Sequence, residues 1–170
     1  MSSLKKYIIL FAGLQEGVSY FNFMVDEKFF DNFSETEIKK GKVKVKIEIK
    51  KDLSIFEVMI KIKGSVELVC DRCLDNFDYD INELSKLIVK IDNEKGEDGD
   101  EIITITEAEG EVNFAQYIYE YLHLALPIKR VHQEVSQCNR EITEKLKAYQ
   151  KKGKEEIDPR WEALKKIKFN

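Results

Sequence analysis

The feature that most constrains the fold is an alternation of apolar and polar residues running from residue 42 to residue 91. In Lys42–Lys50, Val43, Val45, Ile47 and Ile49 point one way; Lys42, Lys44, Lys46, Glu48 and Lys50 point the other. A period of two is the mark of an antiparallel strand with one face buried. Lys51-Asp52 fits a tight connection. The next strand starts near Ser54 and keeps its parity through Phe56, Val58, Ile60, Ile62, Val66, Leu68 and Cys70. Gly64 falls on the same face and predicts a bulge or bend. The chain turns through Asp71-Arg72 and returns with Phe77, Tyr79, Ile81, Leu87, Val89 and Ile91 in phase. The expectation is a long, bent hairpin with the sequence V-E-L-V-C-D-R-C-L-D-N-F (Val66–Phe77) at its tip.

The flanks add strands first and helices later. Leu4–Phe11 reads as a strand, and Gly13 and Gly17 bracket a turn into Val18–Val25, which predicts a hairpin between the two. The apolar start is short and runs into a polar loop, so it reads as a strand and not as a signal peptide. Asp26–Phe33 is a short helical segment with Asp26 as N-cap. Asp92–Asp100 is an acidic loop, and Ile103 and Ile105 mark one more strand. A helix follows, opened by a capping box of Asn113 and Gln116 and buried along Phe114, Tyr117, Ile118, Tyr121, Leu122, Ala125 and Leu126. Pro127 stops it. Arg140–Lys151 favours a helix, and Asp158-Pro159 opens a last one with Trp161, Leu164 and Ile167 on one side. The chain is therefore read as one α+β domain: an antiparallel sheet, strongly bent or barrel-like, followed by C-terminal helices. Residues 1–127 carry the sheet and its helix; residues 128–170 form a helical segment of the same domain.

Three cysteines are poor material for a disulfide framework. No apolar run approaches the roughly 20 residues needed to span a bilayer, so no membrane contact is expected and a reduced cytoplasm is the compartment. There, metal binding is the better use of a C-x-x-C. Cys70 and Cys73 place two sulfurs in one hollow. His132 and Cys138 supply a second pair, giving a closed, structural zinc site of three thiolates and one imidazole. The alternative is a thiol pair without metal. A redox C-x-x-C draws its low thiol pKa from a helix N-terminus, and this one lies between two strands. His123 sits beside the helix's buried stripe and reads as a packing or edge residue. The chain has no Gly-rich phosphate loop, G-x-S-x-G or H-E-x-x-H. It is not expected to be an enzyme.

Charge is segregated within a net −4. Residues 92–111 are acidic, with Lys95 the only base; residues 39–63 carry Lys39, Lys40, Lys42, Lys44, Lys46, Lys50, Lys51, Lys61 and Lys63 against Glu48, Asp52 and Glu57. A lysine row fits the solvent face of a strand that must not aggregate. It also fits a phosphate-contacting surface made of Lys42, Lys44 and Lys46 with Arg72, Lys129 and Arg130. The aromatics are mostly accounted for by the core pattern, which leaves backbone contact with little reading of bases.

Cys70–Phe77, C-D-R-C-L-D-N-F, resembles the C-x-R-C-L-x-x-F core of the YceD-like family of large ribosomal RNA subunit accumulation proteins. Leu124–His132, L-A-L-P-I-K-R-V-H, resembles that family's L-x-L-P-x-x-x-x-[HC], and Cys138 falls near its following cysteine. Asp158–Ile167, D-P-R-W-E-A-L-K-K-I, resembles its D-P-R-x-x-x-L-x-x-L closing segment. The resemblance covers roughly residues 50–170. It implies an accessory, non-catalytic role in accumulation of large-subunit (23S) ribosomal RNA, with a ribosomal RNA precursor or pre-ribosomal particle as partner. A different use of the chain is a zinc-stabilised protein-interaction module that docks a partner through its C-terminal helix and Trp161, without touching RNA.

Overall fold

The structure, a computed structural model, describes residues 3–149 apart from 35, 93–98, 100 and 107. In chain order its elements are β1 (Ile8–Leu10), β2 (Gly17–Val25), α1 (Glu27–Phe30), β3 (Gly41–Asp52), β4 (Ile55–Val69), β5 (Asn76–Ile91), β6 (Ile102–Ile105), β7 (Glu111–Asn113), α2 (Ala115–Leu124) and α3 (Arg140–Tyr149). Short 3-10 turns occupy Ser3–Tyr7 and Val135–Gln137. Strands β2-β3-β4-β5-β6 form one sheet in that order, and β1 and β7 form a second, two-stranded one.

The alternation sets the register. Val45 pairs with Ile62 and Ile47 with Ile60, and all four are buried. Val66 pairs with Tyr79 and Leu68 with Phe77. A slip of one residue would turn this whole apolar set to solvent, so the long hairpin has one stable pairing. Its inner face is covered by Tyr7, Ile9 and Phe11, by Phe29 and Phe30 of α1, and by Phe114, Ile118 and Leu122 of α2 and its start. Aromatic edges lock the layer: the rings of Phe11 and Phe56 meet edge-on at 5.0 Å, those of Tyr7 and Phe29 at 5.1 Å. Each such side chain contributes about 1.5–3 kcal/mol by burial alone. The Tyr7 hydroxyl donates to the Met24 carbonyl at 3.1 Å. Burial, aided by Asp26, pushes its pKa up to about 12.

Several expectations are corrected. β1 and β2 do not form a hairpin; β1 pairs with β7, and β2 pairs along its length with β3. Gly17, the first residue of β2, takes φ +109° where the chain enters that strand. Only Ile8–Leu10 of the segment Leu4–Phe11 is strand, because a 3-10 turn carries Tyr7 into the core. The register runs through Gly64 without an extra residue, so there is no bulge. A Cβ at Gly64 would stand 2.2 Å from the Lys42 carbonyl oxygen and 2.7 Å from the Val43 Cα; glycine is needed for close passage of β3. The sheet is not closed into a barrel, since β2 and β6 are its two edges. β2 to β5 are antiparallel, whereas β6 pairs in parallel with β5, Val89 opposite Ile103.

The helix starts also differ. Asp26 holds the N-cap position of α1 without a side-chain bond to the helix. The capping box at α2 does not form: Asn113 Oδ1 accepts from the Ala115 N–H at 3.0 Å, while Gln116 reaches forward to Glu120 at 2.8 Å. The expected helix from Asp158, with Trp161, lies outside the described residues, as does most of the acidic loop.

Candidate metal centre and basic sheet face

The hairpin tip is a knuckle built by backbone bonds. The Cys70 N–H donates to the Asp75 carbonyl at 2.9 Å and the Leu74 N–H to the Cys70 carbonyl at 2.8 Å. Leu74 takes φ +63°, the left-handed turn that closes the loop. The Arg72 N–H points at the Cys70 sulfur at 3.4 Å. The segment after α2 is tied to this knuckle twice: the Asp71 N–H donates to the Arg130 carbonyl, and the Arg130 N–H to Asp71 Oδ2, both at 2.7 Å. That double tie delivers His132 and Cys138 to the two tip cysteines.

The ligating atoms of Cys70, Cys73, His132 and Cys138 all lie within 4.8 Å of one another. His132 Nδ1 stands 3.6 Å from both the Cys73 and the Cys138 sulfurs. A tetrahedron with Zn–S of about 2.3 Å and Zn–N of about 2.05 Å has an S···N edge of about 3.6 Å. The sulfurs are buried, and Phe77, Val131 and Ile142 wrap them in an apolar shell. The Phe77 and His132 rings meet at 5.1 Å. These four residues are close enough to hold a metal ion.

The electrostatics favour an anionic sulfur at Cys70 and oppose one at Cys138. Burial raises the Cys70 thiol, but hydrogen bonds from His132, the Arg72 N–H and Cys73 outweigh it and bring its pKa down to about 6. Burial and the neighbouring Cys73 raise Cys138, and Arg72 opposes them with a guanidinium contact to its sulfur.

The cations fall into two groups. Arg72 is committed to the cysteine cluster, and Arg130 pairs with Glu37 at 2.6 Å. Lys129 is exposed beside them. Lys42, Lys44 and Lys46 stand on the outer face of β3, and β4 extends the row: Lys44 faces Lys63 and Lys46 faces Lys61. No ion pair to these five lysines occurs among the described residues. Like charges directly opposite on a sheet destabilise it. On edge strand β2, Tyr20 is 55 % exposed, with Lys46 Nζ 4.2 Å over its ring centroid.

His123 behaves as an edge residue. Its Nδ1–H donates to the Tyr119 carbonyl at 2.8 Å, and Nε2 faces the Thr36 hydroxyl at 3.5 Å.

A family model described as "Large ribosomal RNA subunit accumulation protein YceD" matches residues 58–168, well over half of the sequence. The chain belongs to the YceD family. Comparison with curated proteins and with solved structures gives no match. The matched span of this YceD-family chain contains all four candidate metal ligands but begins after Lys42, Lys44 and Lys46. Sequence reasoning counted Lys61 and Lys63 in the basic stretch 39–63 but did not place them, or Tyr20, on the phosphate-contacting face. Their signal was parity: Tyr20 alternates with Phe21 and Phe23, and Lys61 and Lys63 with Ile60 and Ile62.

Proposed function

We propose that this chain is a non-catalytic accessory factor in accumulation of the large-subunit (23S) ribosomal RNA, acting in the cytoplasm on a ribosomal RNA precursor or pre-ribosomal particle. Cys70, Cys73, His132 and Cys138 hold a structural zinc ion that fastens the segment from residue 128 to the hairpin tip, so that residues 1–127 and 128–170 act as one unit. The three thiolates and one imidazole suit zinc and leave no open position for chemistry.

The observation that carries the RNA reading is the directly opposed pairs Lys44–Lys63 and Lys46–Lys61. A phosphate backbone is the partner that turns this repulsion into attraction. Lys42 extends the row; Lys129, Arg72 and Arg130 lie at the tip, where the two arginines serve mainly to hold it together. Purification from cells with and without RNase tests the reading. Co-purified ribosomal precursors that disappear on RNase treatment support contact through RNA. Binding of purified protein to RNA that is insensitive to salt and to Lys44→Glu and Lys46→Glu would sink it.

A further inference from the structure

Resting on the RNA-contact reading above, we propose that the outer face of β2 and β3 takes unpaired RNA and not duplex, with Tyr20 as the platform on which a base stacks. Phosphate contact explains lysines but not the other exposed groups on this face. Tyr20 and Met24 are both more than half exposed on an edge strand whose inward residues Phe21 and Phe23 serve the core. A ring that needed only burial would lie on the inner face with them. Tyr20 instead stays outside, with Lys46 Nζ 4.2 Å over its centroid. That sets a cation on one face of a flat aromatic ring that stays more than half exposed, the two groups that single-stranded nucleic acids use: an ammonium for the phosphate and a ring for the base.

The adjoining surface fits the same ligand. A depression of about 330 Å³ is walled by Lys46 of this pair together with Asn22, Met24, Lys44, Lys61 and Lys63. Its volume is at the lower end of the roughly 300–1,000 Å³ that small ligands occupy. Asn22 offers an amide with both donors and an acceptor for a base edge. Lys42, Lys44 and Lys46 repeat every second residue, about 6.6 Å apart along the strand, a regular row of single charges that complements an extended phosphodiester chain. A duplex keeps its base faces inside its own stack, so it would offer phosphates to the lysines and nothing to Tyr20.

Fluorescence anisotropy with the full chain tests this, using a labelled single-stranded oligouridine and a labelled RNA duplex of the same length at one salt concentration. The single strand should bind more tightly. Tyr20→Ala should weaken it roughly tenfold, leave the duplex unchanged and keep the circular dichroism spectrum; Tyr20→Trp should retain binding. Lys44→Glu should weaken both probes. Equal or tighter binding of duplex, or a Tyr20→Ala protein that binds single strand normally, overturns the stacking proposal while a Lys44→Glu effect leaves the RNA reading standing. Absence of binding to either probe, or indifference to Lys44→Glu, overturns the RNA reading and this proposal with it.

Discussion

The Arg72 guanidinium lies 3.4 Å from the Cys138 sulfur, a contact between residues 66 positions apart in the chain. Three thiolates and a neutral imidazole around a divalent zinc leave one net negative charge in an apolar shell. Arg72 is placed to balance it from a position between the two tip cysteines, and its backbone N–H serves Cys70 as well. Arg72→Met should therefore keep the four ligands but weaken zinc retention by about 10–100-fold. Competition against a chromophoric chelator reads this directly, and unchanged retention would show that Arg72 is only a filler.

Zinc itself should be found at about one ion per chain by elemental analysis of protein purified without chelator. Cys138→Ser removes a ligand from the segment that follows α2. It should lower zinc content and melting temperature together, because binding contributes on the order of 10 kcal/mol to the holo form. A melting temperature indifferent to both chelator and Cys138→Ser would argue against a metal clamp.

The metal-free protein should show a pH signature. Cys70 is lowered to about 6 in the fold, against about 8.5 for a free thiol. Between these values the unfolded chain holds a proton that the folded chain has released, so stability rises with pH across that window and the contribution is absent below about 6. Cys138 is raised, chiefly by burial; its contribution is present below the free-thiol value and is lost as pH rises through its own pKa. In chelator, the melting temperature should climb from pH 6 to about 8.5 and level or fall above it. Calorimetry of Cys70→Ser should show no climb; a climb of the same size would sink the assignment to Cys70.

Gly64→Ala should destabilise by about 1–3 kcal/mol or more, since its methyl would meet the Lys42 carbonyl and the Val43 Cα backbone. Neither obstacle can rotate away. Urea unfolding measures the loss. Ala at Gly13, where a Cβ meets nothing within 4 Å, is the control and should change stability little.

Much of the sheet was legible because the information is local. Val43, Val45, Ile47 and Ile49 announce their face by period alone, and the same parity carries through β4 and β5. The four metal-ligand candidates were legible by residue type, since a C-x-x-C with a further cysteine and histidine makes up a zinc ligand set. What was not legible were partnerships over long sequence distances. β1 chooses β7, and β6 lies parallel to β5, because the surrounding packing decides which free edge a three- or four-residue strand meets. Three or four residues carry too little pattern to name a partner. Gly64 was marked as special, but its reason is the carbonyl of a neighbouring strand, which no local rule contains.

The sequence by itself therefore determined the strand faces, the position of the cysteine knuckle between two strands, and the family to which its motifs point. Tertiary structure alone decided that His132 and Cys138 reach that knuckle, through the reciprocal bonds of Asp71 and Arg130. It also decided that Arg72 turns inward to a sulfur and that Lys61, Lys63 and Tyr20 join the lysine row. The physical reason is the same in each case. Periodicity fixes which way a side chain faces, whereas what it faces depends on hydrogen bonds and strand pairing between segments far apart in the chain.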